Sequence, residues 1–370
     1  MKIKILFLIP TLDNGGAEKC LINMINNFDF NKYDITVKTM YNTGENRKYL
    51  NSKVKYTFVF KKYPKGFIHI YKLFSPKFLF KFFIKKDYDV IVSYLEGPTT
   101  RIASGCNSKN TKLINWIHCD LKDVKQFCNP YRSIEEMKRV YRKYNFTIFV
   151  STATRNNFIS MFPNEFKNSI VIHNVIDTEG IINCSNEKID LNKKGITLVT
   201  VGRLAKVKGY DRLIKTVDKL ISNGVECYLW IIGNGPEEKN LKQYIDNNNL
   251  NDYIHLTGYE ANPYKYLEKG DIYVCSSYSE AYSTSVTEAI VLGKPVVTTL
   301  CSGMNEILEN GKSGLIVNND DDSLYLGLKK MITDENYRNK FIKASKMRFK
   351  DLKINNQMKT IEQFFDSLVE

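Results

Sequence analysis

Two carboxylates eight residues apart, Glu280 and Glu288, bracket a row of small hydroxyl side chains in SSYSEAYSTSVTEAIVLGKPVVTT, residues 276–299. Ser283, Thr284 and Ser285 are expected at the first positions of a helix, where four backbone N–H groups lack partners. Small hydroxyls let an anion approach such an end and add donors of their own. Each charge-assisted hydrogen bond there contributes roughly 1.5–3 kcal/mol, and the helix dipole adds about 0.3–1 kcal/mol. The acids cannot grip the same anion, because like charges repel. Glu288, one turn into the helix, suits a neutral diol. Glu280, on the loop before it, can reach a second polyol. A capped helix with solvent-facing acids has the same spacing, so the spacing alone does not choose between the two.

A second constellation lies in VTVGRLAKVKGYDRLI, residues 199–214. Arg203 and Lys208 follow the end of a strand within one loop. Arg offers a planar fork and Lys a point charge, so the pair can clamp a diphosphate. A solvated basic loop fits equally well in a chain with 54 Lys and Arg. Gly15 and Gly16, in PTLDNGGAEK, allow close backbone approach before a helix whose free N–H groups could hold an anion. An ordinary strand-to-helix turn would look the same. NGKSG at 310–314 lacks the glycine that a phosphate loop needs at position 306, which is Glu306. GNGPEE at 233–238 has Glu238 where a dinucleotide fingerprint needs its third glycine. The scattered histidines and the absence of CxxC spacing argue against zinc.

These residues need strands to carry them. Apolar runs at 2–9, 34–41, 54–60, 89–95, 112–117, 146–151 and 169–175 read as strands, separated by helical patches at 17–28, 67–85, 131–144 and 153–161. The polar stretch 177–195 has no sustained period and reads as a linker. After it the alternation restarts with ITLVTVGRL, CYLWIIGNG, YIHLTGY, DIYVCSS, PVVTT and GLIVN, and ends in an amphipathic helical tail. The expected fold class is α/β: two Rossmann-like parallel-sheet domains facing across a cleft. The boundaries are 1–180 for the first domain, 181–195 for a linker, and 196–350 for the second domain. Residues 351–370 form a C-terminal helix able to cross back to the first domain. Ligands of such sheets bind at the carboxyl ends of the strands, so residues just after strands carry the functional weight.

The chain has 370 residues and a net charge of +14, which points to an anionic partner. Eight cysteines without paired spacing are expected as reduced thiols in a cytosolic protein. No stretch reaches the roughly 18 apolar residues that span a bilayer. KKYPKGFIHIYKLFSPKFLFKFFIKK, residues 61–86, carries eight lysines, no acid and many aromatics. That mixture suits the headgroup region of an anionic membrane surface. A core-packing helix with a lysine-rich outer face is the alternative. No nucleic-acid-binding motif is present, so no nucleic acid is expected as a partner.

Taken together, GGAE after the first strand, VGRLAKVKG, GNGP, SEAYSTSVTEA and PVVTT…SGMNEILENGKSGLIV resemble retaining glycosyltransferases of family 4, which have the GT-B fold. The resemblance covers nearly the whole chain and extends to bacterial enzymes of capsule and envelope polysaccharide synthesis. It implies that Gly15 and Gly16 lie against the donor phosphate and the acceptor. Arg203 and Lys208 would neutralise the departing diphosphate, and Glu288 would hold the ribose hydroxyls. Glu280 would contact the transferred sugar. Gly233, Tyr259, Ser283, Thr284 and Ser285 would complete the donor site, and His118, ending LINWIH, would stand beside the sugar. Ala281 and Thr284 depart from the family's usual glycine and apolar residue. Family frequency points to UDP as the carrier, with GDP open. The implied acceptor is a lipid-linked or envelope saccharide, met on the inner face of the cell membrane. The implied reaction retains configuration and needs no metal or other cofactor. A sugar-nucleotide epimerase or a phosphorylase of the same fold is the alternative activity.

Overall fold

The computed structural model describes residues 2–62, 71–120, 124–166, 168–189 and 195–369. It comprises two compact units, Met1–Val175 with Asn355–Glu370, and Ile176–Ile354.

The first unit holds a seven-stranded sheet. Its strands are β1 (Ile3–Ile9), β2 (Tyr33–Tyr41), β3 (Lys55–Phe60), β4 (Val90–Ser93), β5 (Lys112–Ile117), β6 (Phe146–Phe149) and β7 (Ser169–Val171). They pair in the order β3-β2-β1-β4-β5-β6-β7, every pair parallel. Parallel strands buried on both faces read as unbroken apolar runs, and Ile5 through Ile9 are fully buried. Helices Gly16–Asn26, Pro98–Ala103, Ile134–Tyr141 and Thr152–Met161 belong to the connections. The C-terminal helix Ile354–Ser367 carries Phe365 against Phe7 and Phe28 of this unit.

The second unit holds six strands: β8 (Thr197–Val201), β9 (Tyr228–Ile232), β10 (Ile254–Gly258), β11 (Ile272–Cys275), β12 (Val296–Thr299) and β13 (Leu315–Val317). They pair in the order β10-β9-β8-β11-β12-β13, again all parallel. Both sheets thus have the doubly wound Rossmann order. The chain reverses direction of travel between β1 and β4 in one sheet and between β8 and β11 in the other. Those switch points are where such sheets leave room for a ligand.

Two sequence expectations need correction. The helical patch 67–85 contains a shorter helix, Pro76–Phe83, after a single 3-10 turn at Tyr71–Leu73. Pro76 cannot continue a helix from its N-terminal side, and the Ser75 side chain caps the new one by accepting from the Phe78 N–H at 3.2 Å. Residues 67–70 of that patch lie outside the described residues. The expected linker at 181–195 begins inside a helix, Thr178–Ser185, which belongs to the second unit. Asp177 caps it, accepting from the Gly180 N–H at 2.9 Å. No disulfide joins the eight cysteines, all of which lie in described residues.

Candidate functional site

The switch point of the second sheet is built by two loops that lock together. After β8 the chain runs through Gly202–Lys208, and after β11 through Ser276–Tyr282. Gly209 makes the close approach possible. Its φ is +64°, and a Cβ there would stand 2.2 Å from the Ser276 carbonyl oxygen. The Ser276 hydroxyl donates to the Lys208 carbonyl at 3.1 Å, and the Tyr278 N–H donates to the Val207 carbonyl at 2.8 Å.

Across this seam Lys208 Nζ meets Glu280 Oε1 at 2.6 Å. The Ser277 hydroxyl donates to the same oxygen at 2.7 Å. Burial alone would depress the Lys208 ammonium. The charge of Glu280, aided by the hydrogen bond to it, outweighs burial and holds Lys208 above the usual lysine range. Lys208 therefore stays charged at neutral pH, which is what a phosphate ligand requires. Arg203, on the same loop, is exposed and makes no ion pair among the described residues.

The β11 loop is held from beneath by Arg212, which the sequence reading did not single out. Arg212 is 2% exposed. Its Nε donates to the Ser276 carbonyl and Nη2 to the Ser277 carbonyl, each at 2.7 Å. Nη2 also reaches Thr299 Oγ1 at 3.2 Å, and the guanidinium lies 4.1 Å from the centre of the Tyr278 ring. One signal was available. Arg212 falls on the stripe Leu213, Thr216, Val217, Leu220 of an amphipathic helix, where a cation is out of place unless it has carbonyls to satisfy.

The hydroxyl row differs from expectation in one respect. The helix is Thr284–Val291, and Ser283 is its N-cap. Ser283 is buried, and its Oγ accepts from the Val286 N–H at 3.4 Å. It therefore serves its own helix, while Thr284 and Ser285 keep part of their surface exposed. Ser285 Oγ remains 3.2 Å from Ser283 Oγ. Glu288 is buried and accepts from the Tyr264 hydroxyl at 2.9 Å, so Tyr264 orients it. Gly233, at the end of β9, has φ +141°, and a Cβ there would stand 2.1 Å from the Gly202 carbonyl oxygen. Its N–H donates to the Gly258 carbonyl at 2.8 Å, so the ends of β8, β9 and β10 close into a flat floor. Tyr259 follows that floor and is exposed.

In the first unit, Gly15 caps helix Gly16–Asn26 in an extended conformation, and Gly16 is exposed. Glu18 lies in the first turn. Burial raises its carboxyl above the ordinary range, and the neighbouring charges of Asp13 and Glu96 push the same way. Carboxylates this close make the two glycines a poor phosphate cradle by themselves.

His118 ends β5. Its N–H donates to Glu96 Oε2 at 3.0 Å, and its ring lies 4.5 Å from Tyr94. Both ring nitrogens are buried without a hydrogen-bond partner among the described residues. Burial pushes the imidazole down to about 3, although Asn174 draws it back upward. His118 is thus a neutral hydrogen-bonding group at working pH. Its ring signal in an NMR titration is expected to stay fixed between about pH 5 and 8. A midpoint near the ordinary imidazole value of 6.5 would contradict this. The unfolded chain takes up a proton here below about 6.5 and the folded one does not, so His118 weakens folding as pH falls toward about 3.

Among the described residues, no group of three or more His, Cys, Asp or Glu side chains could hold a metal ion. No helix there is long and apolar enough to cross a membrane.

Two family models divide the chain. "Glycosyltransferase Family 4" matches residues 14–180 and "Glycosyl transferases group 1" matches residues 183–348. An uncharacterized glycosyltransferase of Methanocaldococcus jannaschii is 29% identical over 209 residues, 54% of this chain and 51% of that relative. The match therefore spans about half the length of that protein. A Campylobacter jejuni enzyme is 28% identical over 276 residues, 73% of this chain and 71% of its own. It is named N-acetylgalactosamine-N,N'-diacetylbacillosaminyl-diphospho-undecaprenol 4-alpha-N-acetylgalactosaminyltransferase. The crystal structure of Anabaena HepE in complex with UDP and glucose superposes with a TM-score of 0.78 over 99% of this chain and 100% of that one, at 17% identity. At that identity the likeness establishes the fold, which is GT-B.

Proposed function

The chain belongs to the family 4 glycosyltransferases, and from that membership we propose that it transfers a hexose or N-acetylhexosamine from a UDP-sugar to a hydroxyl of a lipid-linked or envelope glycan. The second unit takes the donor and the first the acceptor, at an anionic membrane surface on the cytoplasmic side. The observation that carries the reading is the Lys208–Glu280 pair, seated with Ser277 at the switch point of the second sheet. A cation and a carboxylate held together there divide the two tasks a nucleotide sugar poses, a charged diphosphate and a neutral polyol.

The anomeric C–O bond breaks first, giving an oxocarbenium-like sugar and a nucleoside diphosphate. Lys208, Arg203 and the N–H groups at the start of helix Thr284–Val291 take up the negative charge that grows on the leaving oxygen. The acceptor hydroxyl attacks from the face the diphosphate leaves, so configuration is retained. Its proton passes to the departing phosphate oxygen, and no strong protein base is needed. That fits a neutral His118, which serves as a hydrogen-bond partner for a sugar hydroxyl. Glu288, oriented by Tyr264, holds the ribose diol.

The test is product analysis. The full chain is incubated with labelled UDP-sugars and a lipid-linked saccharide acceptor, with and without EDTA. The expected product is a lengthened glycan with the donor's anomeric configuration, formed equally in EDTA. A free epimer or a sugar phosphate would replace transfer with epimerisation or phosphorolysis. Loss of turnover in EDTA with recovery in magnesium or manganese would remove the metal-free mechanism.

A further inference from the structure

Helix Pro76–Phe83 presents one face to the core and another to solvent. Leu79 and Phe83 are buried, whereas Leu73, Phe74, Phe78 and Phe82 are 76%, 41%, 52% and 61% exposed. The three exposed rings form a ladder at helical spacing. Phe74 and Phe78 stack at 5.0 Å with planes 17° apart, and Phe78 and Phe82 at 6.2 Å with planes 9° apart. Soluble surfaces rarely gather large apolar side chains in this way without a partner.

The ladder's base is anchored. Arg101 is fully buried, donating from Nη1 to the Tyr71 carbonyl at 3.2 Å and from Nη2 to the Phe74 carbonyl at 2.8 Å. Arg132 takes the carbonyls between them, Lys72 through Nε and Leu73 through Nη2 at 2.7 Å. Glu136 joins the two arginines, accepting from Arg101 Nε at 3.1 Å and Nη2 at 2.9 Å, and from the Arg132 N–H at 2.7 Å. Four successive carbonyls are thus held by two guanidiniums, Arg101 buried and Arg132 exposed. The same turn leaves Leu73 and Phe74 in solvent. The buried Arg101–Glu136 pair, joined by Arg132 at the surface, fixes an outward-facing apolar wedge in place.

Lys77 and Lys81 precede Phe78 and Phe82 on the helix and are exposed, as are Lys85 and Lys86 beyond it. Lys38 on β2 is half-buried, and its ammonium sits below the usual range, first through burial and then through the charges of Lys85 and Lys86. Residues 61–86 contain no acid.

We propose that Leu73, Phe74, Phe78 and Phe82 form a preformed membrane wedge that enters the interface of an anionic leaflet while Lys77, Lys81, Lys85 and Lys86 bind its phosphates. Aromatic rings favour that depth, and lysines reach headgroups with their stems along apolar surface. A second copy of this chain is a poorer occupant, because it would set like-charged lysine rows against each other. Nucleic acid is poorer too, since the rings' faces are already stacked on one another. The wedge deepens the membrane-surface reading above and rests on it, and the test keeps the wedge separate from the donor site.

The full chain is floated with vesicles of phosphatidylcholine alone and with added phosphatidylglycerol, and UDP-induced thermal shift is measured in parallel. Wild type is expected to float with the anionic vesicles and not with the neutral ones. Phe78→Ser with Phe82→Ser should weaken partitioning by about tenfold or more. Lys77→Gln with Lys81→Gln should weaken it and flatten its salt dependence. Both variants should keep the UDP shift. Flotation without a UDP response would support the wedge and remove the donor reading; a UDP response without flotation would do the reverse. Undiminished flotation of the phenylalanine variant would overturn the wedge. So would a dimer in sedimentation that this variant turns into a monomer, since the face would then belong to a second copy.

Discussion

Glu280→Gln should bind UDP more tightly than wild type while losing transfer by about 10²–10³-fold. The Lys208 ammonium is paired with Glu280 at 2.6 Å. An incoming diphosphate must draw Lys208 away from that partner. Glutamine removes the competitor and leaves the cation, so UDP affinity is expected to rise by several-fold up to about tenfold, equivalent to about 1.4 kcal/mol. The carboxylate that would grip the transferred sugar is gone, so kcat falls. Lys208→Ala should fall by about as much in kcat/KM and lose UDP affinity as well. Titration calorimetry with UDP, beside initial rates, separates the pair. If Glu280→Gln weakens UDP binding as Lys208→Ala does, the two residues act as one structural unit and the division of labour is wrong.

Arg101→Ala should destabilise the first unit by about 3–5 kcal/mol, because it takes the buried guanidinium partner from Glu136 and leaves only Arg132 to balance it. For a unit of this size that corresponds to a fall of about 10 °C in its thermal transition. Arg101→Met with Glu136→Leu removes both charges and should recover much of the loss. If the double variant is as unstable as the single one, the pair is not what holds this corner. The acid side gives an independent reading. Burial alone would raise the Glu136 carboxyl, but the hydrogen bonds from Arg101 and the Arg132 N–H, with both arginine charges, bring it below its ordinary value of 4.5. Its contribution is therefore complete above about pH 4.5 and is lost as pH falls through the depressed folded value. Urea melts across that range should show the slope in wild type and not in Arg101→Met.

Much of this architecture is legible before any coordinates. Strands such as Ile5–Ile9 are sealed on both faces by helices, so they appear as unbroken apolar runs. What the runs do not carry is their order in the sheet, and it is the order that sets Lys208 beside Glu280, 72 residues away. The types and spacing of the acids and cations suggested a task for each. The ion pair between them is tertiary and left no local trace. Small hydroxyls at a helix start serve as anion ligands or as caps, which sequence alone does not separate, and in the fold Ser283 caps its own helix. The helix Thr178–Ser185 was passed over as linker among Asn and Lys residues, although Asp177 three residues before Gly180 is a capping signal. Arg101, Arg132 and Arg212 share a property that a sequence does not display, although Arg212 at least stands out on its apolar stripe. Each donates to backbone carbonyls, which carry no sequence signature.

The central claim is that the second unit holds a nucleoside diphosphate on Lys208 and its neighbours. Calorimetric titration of the full chain with UDP, GDP and ADP tests it most directly. One of them, UDP foremost, should bind at one site per chain, with affinity falling in Lys208→Ala and also in Glu288→Gln. Absence of binding by all three, or binding that both substitutions leave untouched, would contradict it.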